Sequence, residues 1–314
     1  MKVLVTGCAG FIGSHLTEKL LDKGDQVIGV DCFIDYYPRS LKENNMSGFF
    51  DHPNFTFIEN NIVNLSLESL LSDIDIVYHQ AAQAGVRASW GTEFDIYTDN
   101  NIRATQQLLE AARKNELQKF VYASSSSVYG DTDNLPMKES NRLQPVSPYG
   151  VSKLAAENLC YLYWKSFNIP TISLRYFTVF GERQRPDMAF HIFIKAILQN
   201  QPVTIFGDGK QSRNFTHVDD IVRANILAAE SKVSGEIFNI GGDGKQVVLN
   251  EAITAIEEIT GKKAERVYQQ VAKGDVRHTA ADCSKAEKLL NYYPEVSFKK
   301  GLTREVNWLK NIYV

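Results

Sequence analysis

Val3-Leu4-Val5-Thr6-Gly7-Cys8-Ala9-Gly10-Phe11-Ile12-Gly13 runs an apolar β segment into a glycine turn and on into the apolar repeat Leu16, Leu20, Leu21 of a helix. Each glycine has its own task. Gly7 permits the tight turn, Gly10 lets the backbone approach a pyrophosphate, and Gly13 lets helix and strand pack closely. A plain glycine-rich strand-to-helix turn has the same composition, so the next stretch of chain decides between the two: a second apolar strand over 26–30 leads into Asp31. A carboxylate there accepts hydrogen bonds from a ribose 2′,3′-diol and repels a 2′-phosphate, which favours NAD over NADP. Arg39 and Lys42 lie a little further on and leave NADP open.

Outward from this turn, apolar runs recur over 55–58, 74–79, 119–123 and 171–175, between helical stretches at 95–114 and 149–167. Strands alternating with helices of this length predict βαβ units and an α/β fold, a Rossmann-type doubly wound parallel sheet. After Gly181 the chain turns Arg-rich and irregular, then helical to 199, while 218–231 and 237–240 again read as helix and strand. The expected division is a cofactor domain of 1–178 plus about 215–242, and a smaller, discontinuous α/β substrate domain of about 179–214 plus 243–314. The 314 residues carry a formal net charge of −3 with no basic tract, which argues against nucleic acid and anionic membrane as partners. Cys8, Cys32, Cys160 and Cys283 are scattered, with no metal-ligand spacing among them or with His79, His191, His217 and His278. The expectation is a reduced cytoplasmic protein with no metal, no signal peptide and no membrane span.

The chemistry-bearing pair is Tyr149 and Lys153 in Ser147-Pro148-Tyr149-Gly150-Val151-Ser152-Lys153. Four residues is about one helical turn, so phenol and ammonium share a face, and a nearby cation stabilises a phenolate. Together with TGCAGFIG (6–13), HQAAQAGVR (79–87), Asn100-Asn101, ASSSSVYGD (123–131), RYFTVFG (175–181), RQRPDMA (183–189), SRNFTHVDDI (212–221), NIGG (239–242) and GDVR (274–277), the chain resembles the extended short-chain dehydrogenase/reductases of the NAD-dependent nucleotide-sugar epimerase/dehydratase family. The resemblance runs end to end. AAQAGVR, RYFTVFG and RPDMA are similar to the subgroup that epimerises UDP-glucuronate at C4.

That resemblance implies bound NAD, contacted by Gly7, Gly10, Phe11, Ile12, Gly13, Asp31, Asn61, Ile62 and Ala81. It implies Tyr149 as acid/base, Lys153 on the nicotinamide ribose and depressing the tyrosine, and Ser125 on the reacting hydroxyl, with Ser126 and Ser127 beside it. Ser124 reads as a strand-end residue, and Asn101 as an organiser of sheet-end hydrogen bonds. Relatives that dehydrate or decarboxylate carry an acid just after the catalytic Ser/Thr; Ser126 and Ser127 stand there instead, so those readings drop. Many relatives also have an Asp near the adenine where this chain has Asn60-Asn61. Thr178 stands where UDP-glucose epimerases have Asn. Arg185 either pairs with a sugar C6 carboxylate or bonds Asp187 or Glu182. Arg213, with Arg87 and Arg277 as further candidates, is implied at the diphosphate. The expected activity is conversion of UDP-glucuronate to UDP-galacturonate through a 4-keto sugar. UDP-glucose 4-epimerase, a UDP-glucuronate decarboxylase and a non-catalytic NAD-binding regulator are the rivals. A homodimer through 95–114 and 149–167 is expected, unless the rings of 149–167 cover the chain's own sheet.

Overall fold

A computed structural model describes residues 1–314. Seven parallel strands form the central sheet: β1 Lys2–Thr6, β2 Gln26–Asp31, β3 Phe55–Glu59, β4 Ile76–His79, β5 Lys119–Ser125, β6 Thr171–Tyr176 and β7 Glu236–Ile240. Their order is β7-β6-β5-β4-β1-β2-β3. The order reverses between β1 and β4, and ligands of such sheets bind at the carboxyl ends of the strands at that reversal.

Why these runs are continuously apolar is visible in β1. Successive side chains point to opposite faces, and both faces are covered. Val3 and Val5 enter one core with Phe11, Leu16 and Leu20 of helix α1 (Phe11–Asp22). Leu4 enters the other with Leu108 and Leu109 of α2 (Ala104–Ala112) and Ala156 and Cys160 of α3 (Pro148–Phe167). A third core joins Phe180, Phe190, Ile194 and Phe215 to Ile253, Ile256, Leu302 and Val306, two stretches far apart in sequence. The helix Ser284–Leu290 belongs instead with the sheet, where Ala286 and Leu290 pack in the first core.

One expected helix is broken. The stretch 95–114 forms a single turn at Asp95–Tyr97, then a π-helical turn at Thr98–Arg103, and only then α2. Asn101 in the wide turn donates to the Gln83 carbonyl (3.0 Å) and Ser152 Oγ (2.9 Å) and accepts from the Gln83 N–H (2.7 Å). It thereby ties the segment after β4 to α3. β5 runs two residues further than the 119–123 expected and carries Ser125 to its end.

α3 is held to the sheet by a buried polar network. Arg175 on β6 and Glu157 on α3 are each about 1% exposed and pair through two bonds of 2.9 and 2.6 Å. Ser124 donates to the same carboxylate (2.6 Å), Arg175 donates to Tyr129 Oη (2.8 Å), and Tyr129 donates to Asn239 (2.7 Å). Ser124 thus satisfies a side chain, not the backbone groups expected of a strand-end serine.

Candidate active site

The site lies where the reversal puts it. Gly7 has φ +71°, and a Cβ there would sit 2.9 Å from the Ala81 backbone; a Cβ on Gly13 would overlap the Gly7 carbonyl. The turn therefore brings β1, β4 and α1 together more closely than any side chain allows. Gly10 caps α1 with no side-chain bond, so the first N–H groups of α1, on Phe11, Ile12 and Gly13, have no carbonyl one turn back and face the cleft. That is a cradle for a diphosphate. Asp31, ending β2, accepts from Ala9 N–H (3.2 Å) and Phe33 N–H (2.9 Å) and keeps lone pairs for a ribose diol. Arg39 is taken up by Glu59 (2.7 and 2.8 Å) and Glu43 (2.7 Å), and Lys42 donates to the Ile34 carbonyl (2.6 Å). Arg39 is therefore paired with carboxylates, Lys42 stays in the cleft lining on a neutral carbonyl, and with Asp31 at the ribose position the residues present fit NAD.

Gly7, Gly10, Phe11, Ile12, Gly13, Asp31, Asn61, Ile62, Ala81, Tyr149, Lys153 and Arg185 all line this one cleft. The sequence places Tyr149 by ordinary helix chemistry. Ser147 Oγ accepts the Gly150 N–H (3.1 Å) as N-cap and Pro148 opens the first turn. Gly150 has a packing reason: a Cβ would come within 2.6 Å of the Ser127 carbonyl, so only glycine lets the Tyr149 turn rest on the serine turn Ser126–Val128.

Burial raises the Tyr149 phenol, while the Ser125 hydroxyl and the Arg185 guanidinium pull it back down. Of the three cations lining the cleft, Lys42, Lys153 and Arg185, it is Arg185 whose charge lowers the Tyr149 phenol here, whereas sequence spacing assigns that effect to Lys153. Lys153 is buried over the Tyr122 ring (4.5 Å). Burial lowers its ammonium to about 7, against the pull of Cys160 and Glu157. An unfolded lysine titrates near 10.4, so between these values the unfolded chain holds a proton that the folded one does not. The stability of the neutral form is complete above the unfolded value and is lost as pH falls through the folded one. In NAD-free protein, Lys153→Met is therefore expected to gain roughly 3 kcal/mol more, relative to its parent, at pH 6 than at pH 9. Urea unfolding at both pH values checks this, and an equal gain would show an ordinary lysine.

Arg185 takes the Asp187 partner that its sequence neighbourhood offers, and Glu182 is not bonded to it. It donates to Asp187 through two bonds (2.9 and 3.0 Å), and it remains in the cleft with Tyr149. The other candidates lie outside this cleft lining. Ser125 Oγ accepts the Ser127 N–H (3.1 Å), Ser126 and Ser127 are half-buried in the turn, and the Thr178 carbonyl accepts the Thr216 N–H (3.0 Å). Arg87 pairs with Asp275 (2.6 Å) and Arg277 with Asp208 (2.9 Å), while Arg213 donates to the carbonyls of Ser212, Val276 and Arg277. Burial lowers Arg213, Asp275 opposes that and Arg87 adds to it; Arg87 bonds Asp275 while Arg213 bonds the carbonyl of the next residue, Val276. The four histidines singled out in the sequence bond within the fold: His79 with Thr6 (2.7 Å) and Thr105 (2.9 Å), His191 with Gln184 and Tyr313, His217 as a helix cap, and His278 with Ser212. Sequence reading missed Tyr36 and Tyr37, which also line the cleft. The available signal was a doubled aromatic shortly after Asp31, close enough in the chain to reach back over the cofactor ribose.

Known proteins resemble this chain over its whole length. The chain is 49% identical to an uncharacterized UDP-glucose epimerase of Bacillus subtilis, over 100% of this chain and 99% of that one. It is 42% identical to a UDP-glucuronate 4-epimerase of Thermodesulfobacterium geofontis, over 98% and 95%. The crystal structure of UDP-glucuronic acid 4-epimerase from Bacillus cereus in complex with UDP-glucuronic acid and NAD superposes with a TM-score of 0.97 at 48% identity, covering 100% of both chains. A family model matches residues 3–241, from the first strand of the sheet through the last, and the chain belongs to that family, the NAD dependent epimerase/dehydratases.

Proposed function

We propose that the protein interconverts UDP-glucuronate and UDP-galacturonate by inverting C4 of the sugar. The observation that carries this reading is the guanidinium of Arg185 in the same cleft as Tyr149 and Lys153. A C6 carboxylate is a bidentate partner for it, whereas a hydroxymethyl group is not. Relatives named for UDP-glucuronate support the substrate, and the relative named for UDP-glucose keeps UDP-glucose as the second reading. When bound, NAD supplies the reversible two-electron acceptor for C4 and a positive charge beside Tyr149. Tyr149 Oη takes the proton of the C4 hydroxyl, with Ser125 orienting that hydroxyl, and a 4-keto sugar results. The ketone turns over in the site, and Tyr149 returns the proton after reduction from the other face. Ser126 and Ser127 offer no acid to expel a hydroxyl. The 4-keto sugar is a β-keto acid, and Arg185, with Thr178 beside the strand end, restrains its carboxylate against loss of CO₂. Arg213, Arg87 and Arg277 take the diphosphate by exchanging their present partners.

NMR of the C4 configuration after incubation with UDP-glucuronate tests the conversion; an unchanged sugar would end the proposal. Arg185→Ala tests its basis. A hydrogen bond to a charged group is worth about 1.5–3 kcal/mol, so kcat/KM for UDP-glucuronate is expected to fall at least about tenfold. UDP-glucose is expected to be unaffected or improved, and a UDP-pentose to be released. An unchanged ratio of the two kcat/KM values would place Arg185 outside recognition.

The same reading includes a homodimer and the two domains. Tyr163 is buried, and Trp164 is packed on Gly235, so those rings serve this chain. Val151 and Leu162 are about half exposed on another face of α3, in line with Ala155 and Asn158, and support pairing through the helices at 95–114 and 149–167. Light scattering is expected to give twice 35.4 kDa at micromolar concentration, and a monomer mass would rule the dimer out. The third core supports 179–214 plus 243–314 as the sugar-nucleotide domain, with Ser284–Leu290 attached to the sheet of the cofactor domain. All four cysteines are free, in keeping with a cytoplasmic protein, and no helix is long and apolar enough to cross a membrane.

A further inference from the structure

The segment after β2 crosses the cleft. Phe33 has φ +47°, a conformation uncommon outside glycine, and its N–H donates to Asp31. This turn sends Tyr36 over Gly85, whose φ is +106° and where any Cβ would collide with the Tyr36 hydroxyl. On the far side Tyr36 Oη donates to Asp187 Oδ2 (3.1 Å), and Asp187 holds Arg185 through two bonds. One continuous path thus leads from Asp31, at the cofactor ribose, to Arg185, beside Tyr149.

We propose that Tyr36 and Asp187 form a clasp across the cofactor cleft, positioning Arg185 for the sugar acid and retaining NAD beneath it. The sugar part of this proposal rests on Arg185 as the partner of the C6 carboxylate. The charge states suit the link. Burial and Asp187 raise the Tyr36 phenol, so it stays a donor. Against the upward pull of burial, Arg185 and Tyr36 hold the Asp187 carboxyl below its usual range, so it stays an acceptor. The Tyr36 hydroxyl acts through Asp187, and the Tyr36 ring lies 5.9 Å from the Arg185 guanidinium, so Tyr36 is a positioning residue.

Tyr36→Phe removes one hydroxyl and Asp187→Asn removes one charge, with little change of shape in either. Enzyme loaded with NAD is diluted into excess NADH, and the rise of bound NADH fluorescence gives the release rate. Both variants are expected to release NAD about three- to tenfold faster than the parent, and the UDP-glucuronate to UDP-glucose ratio of kcat/KM is expected to fall by a similar factor. Tyr36→Phe is expected to add nothing in the Asp187→Asn background, because the two act in series. Release at the parental rate with an unchanged ratio in Tyr36→Phe overturns the clasp, as do fully additive effects in the double variant. If the parent does not turn over UDP-glucuronate, the sugar reading falls, and the NAD release rates alone decide the clasp.

Discussion

Tyr149→Phe is expected to lower kcat by about 10²–10⁴, the usual contribution of a positioned general base, while affinity for the sugar nucleotide changes little. Burial sets the requirement. The phenol sits in a cleft that raises its pKa, so catalysis depends on the groups that lower it again, the Ser125 hydroxyl and the Arg185 charge. Phenylalanine keeps the ring, its edge contact with Tyr97 at 6.4 Å and the helix turn, and removes only the proton carrier. Single-turnover kinetics with binding measured separately distinguish lost chemistry from lost binding. Near-parental turnover would end the assignment of Tyr149.

The second large effect is on stability. Glu157→Ala is expected to cost about 3–5 kcal/mol, because it strands the Arg175 guanidinium where no water reaches it. It also unpairs Ser124, which donates to the same carboxylate. Replacing both members with leucine should recover part of the loss, since two buried charges and their desolvation disappear together. Urea unfolding measures this, with the denaturant slope showing whether the folded state stays compact. A loss below about 1 kcal/mol for Glu157→Ala would mean that the pair is hydrated. Glu157 is one turn beyond Lys153 and its charge supports the ammonium, so the variant should also deepen the lysine shift.

The sheet was legible because its signals are local. Glycines at 7, 10 and 13, a strand leading into Asp31, and two-sided apolar runs leave few alternatives once both faces must be covered. The Tyr149/Lys153 pair was legible for the same reason, since a four-residue spacing fixes geometry within one helix. The rest depends on contacts between distant segments. Four consecutive serines look alike in sequence, yet Ser124 turns inward to Glu157 and Ser125 toward Tyr149, a difference set by where β5 ends. Glu157 reads as an ordinary helix surface charge, and only Arg175 on a neighbouring strand makes it a core residue. Arg185 carries two open readings in sequence because a guanidinium next to Asp187 satisfies local pairing whether or not it faces a ligand. The structure shows the pairing with Asp187 and leaves the guanidinium in the lining of the cleft. Helix periodicity over 95–114 is compatible with one unbroken helix, and the wide turn escapes it because a single extra residue barely disturbs an apolar count.

That wide turn bears on which length changes the chain tolerates. A π-helical turn holds one residue more than the α-helix it interrupts. Deleting Ile102 or Arg103 would let the backbone close as ordinary helix, leaving α2 and the strands beyond it where they are. The same deletion would rotate what precedes it by about 100° and swing Asn101 away from Gln83 and Ser152. Shortening here would therefore spare the fold and release the segment that carries Gly85.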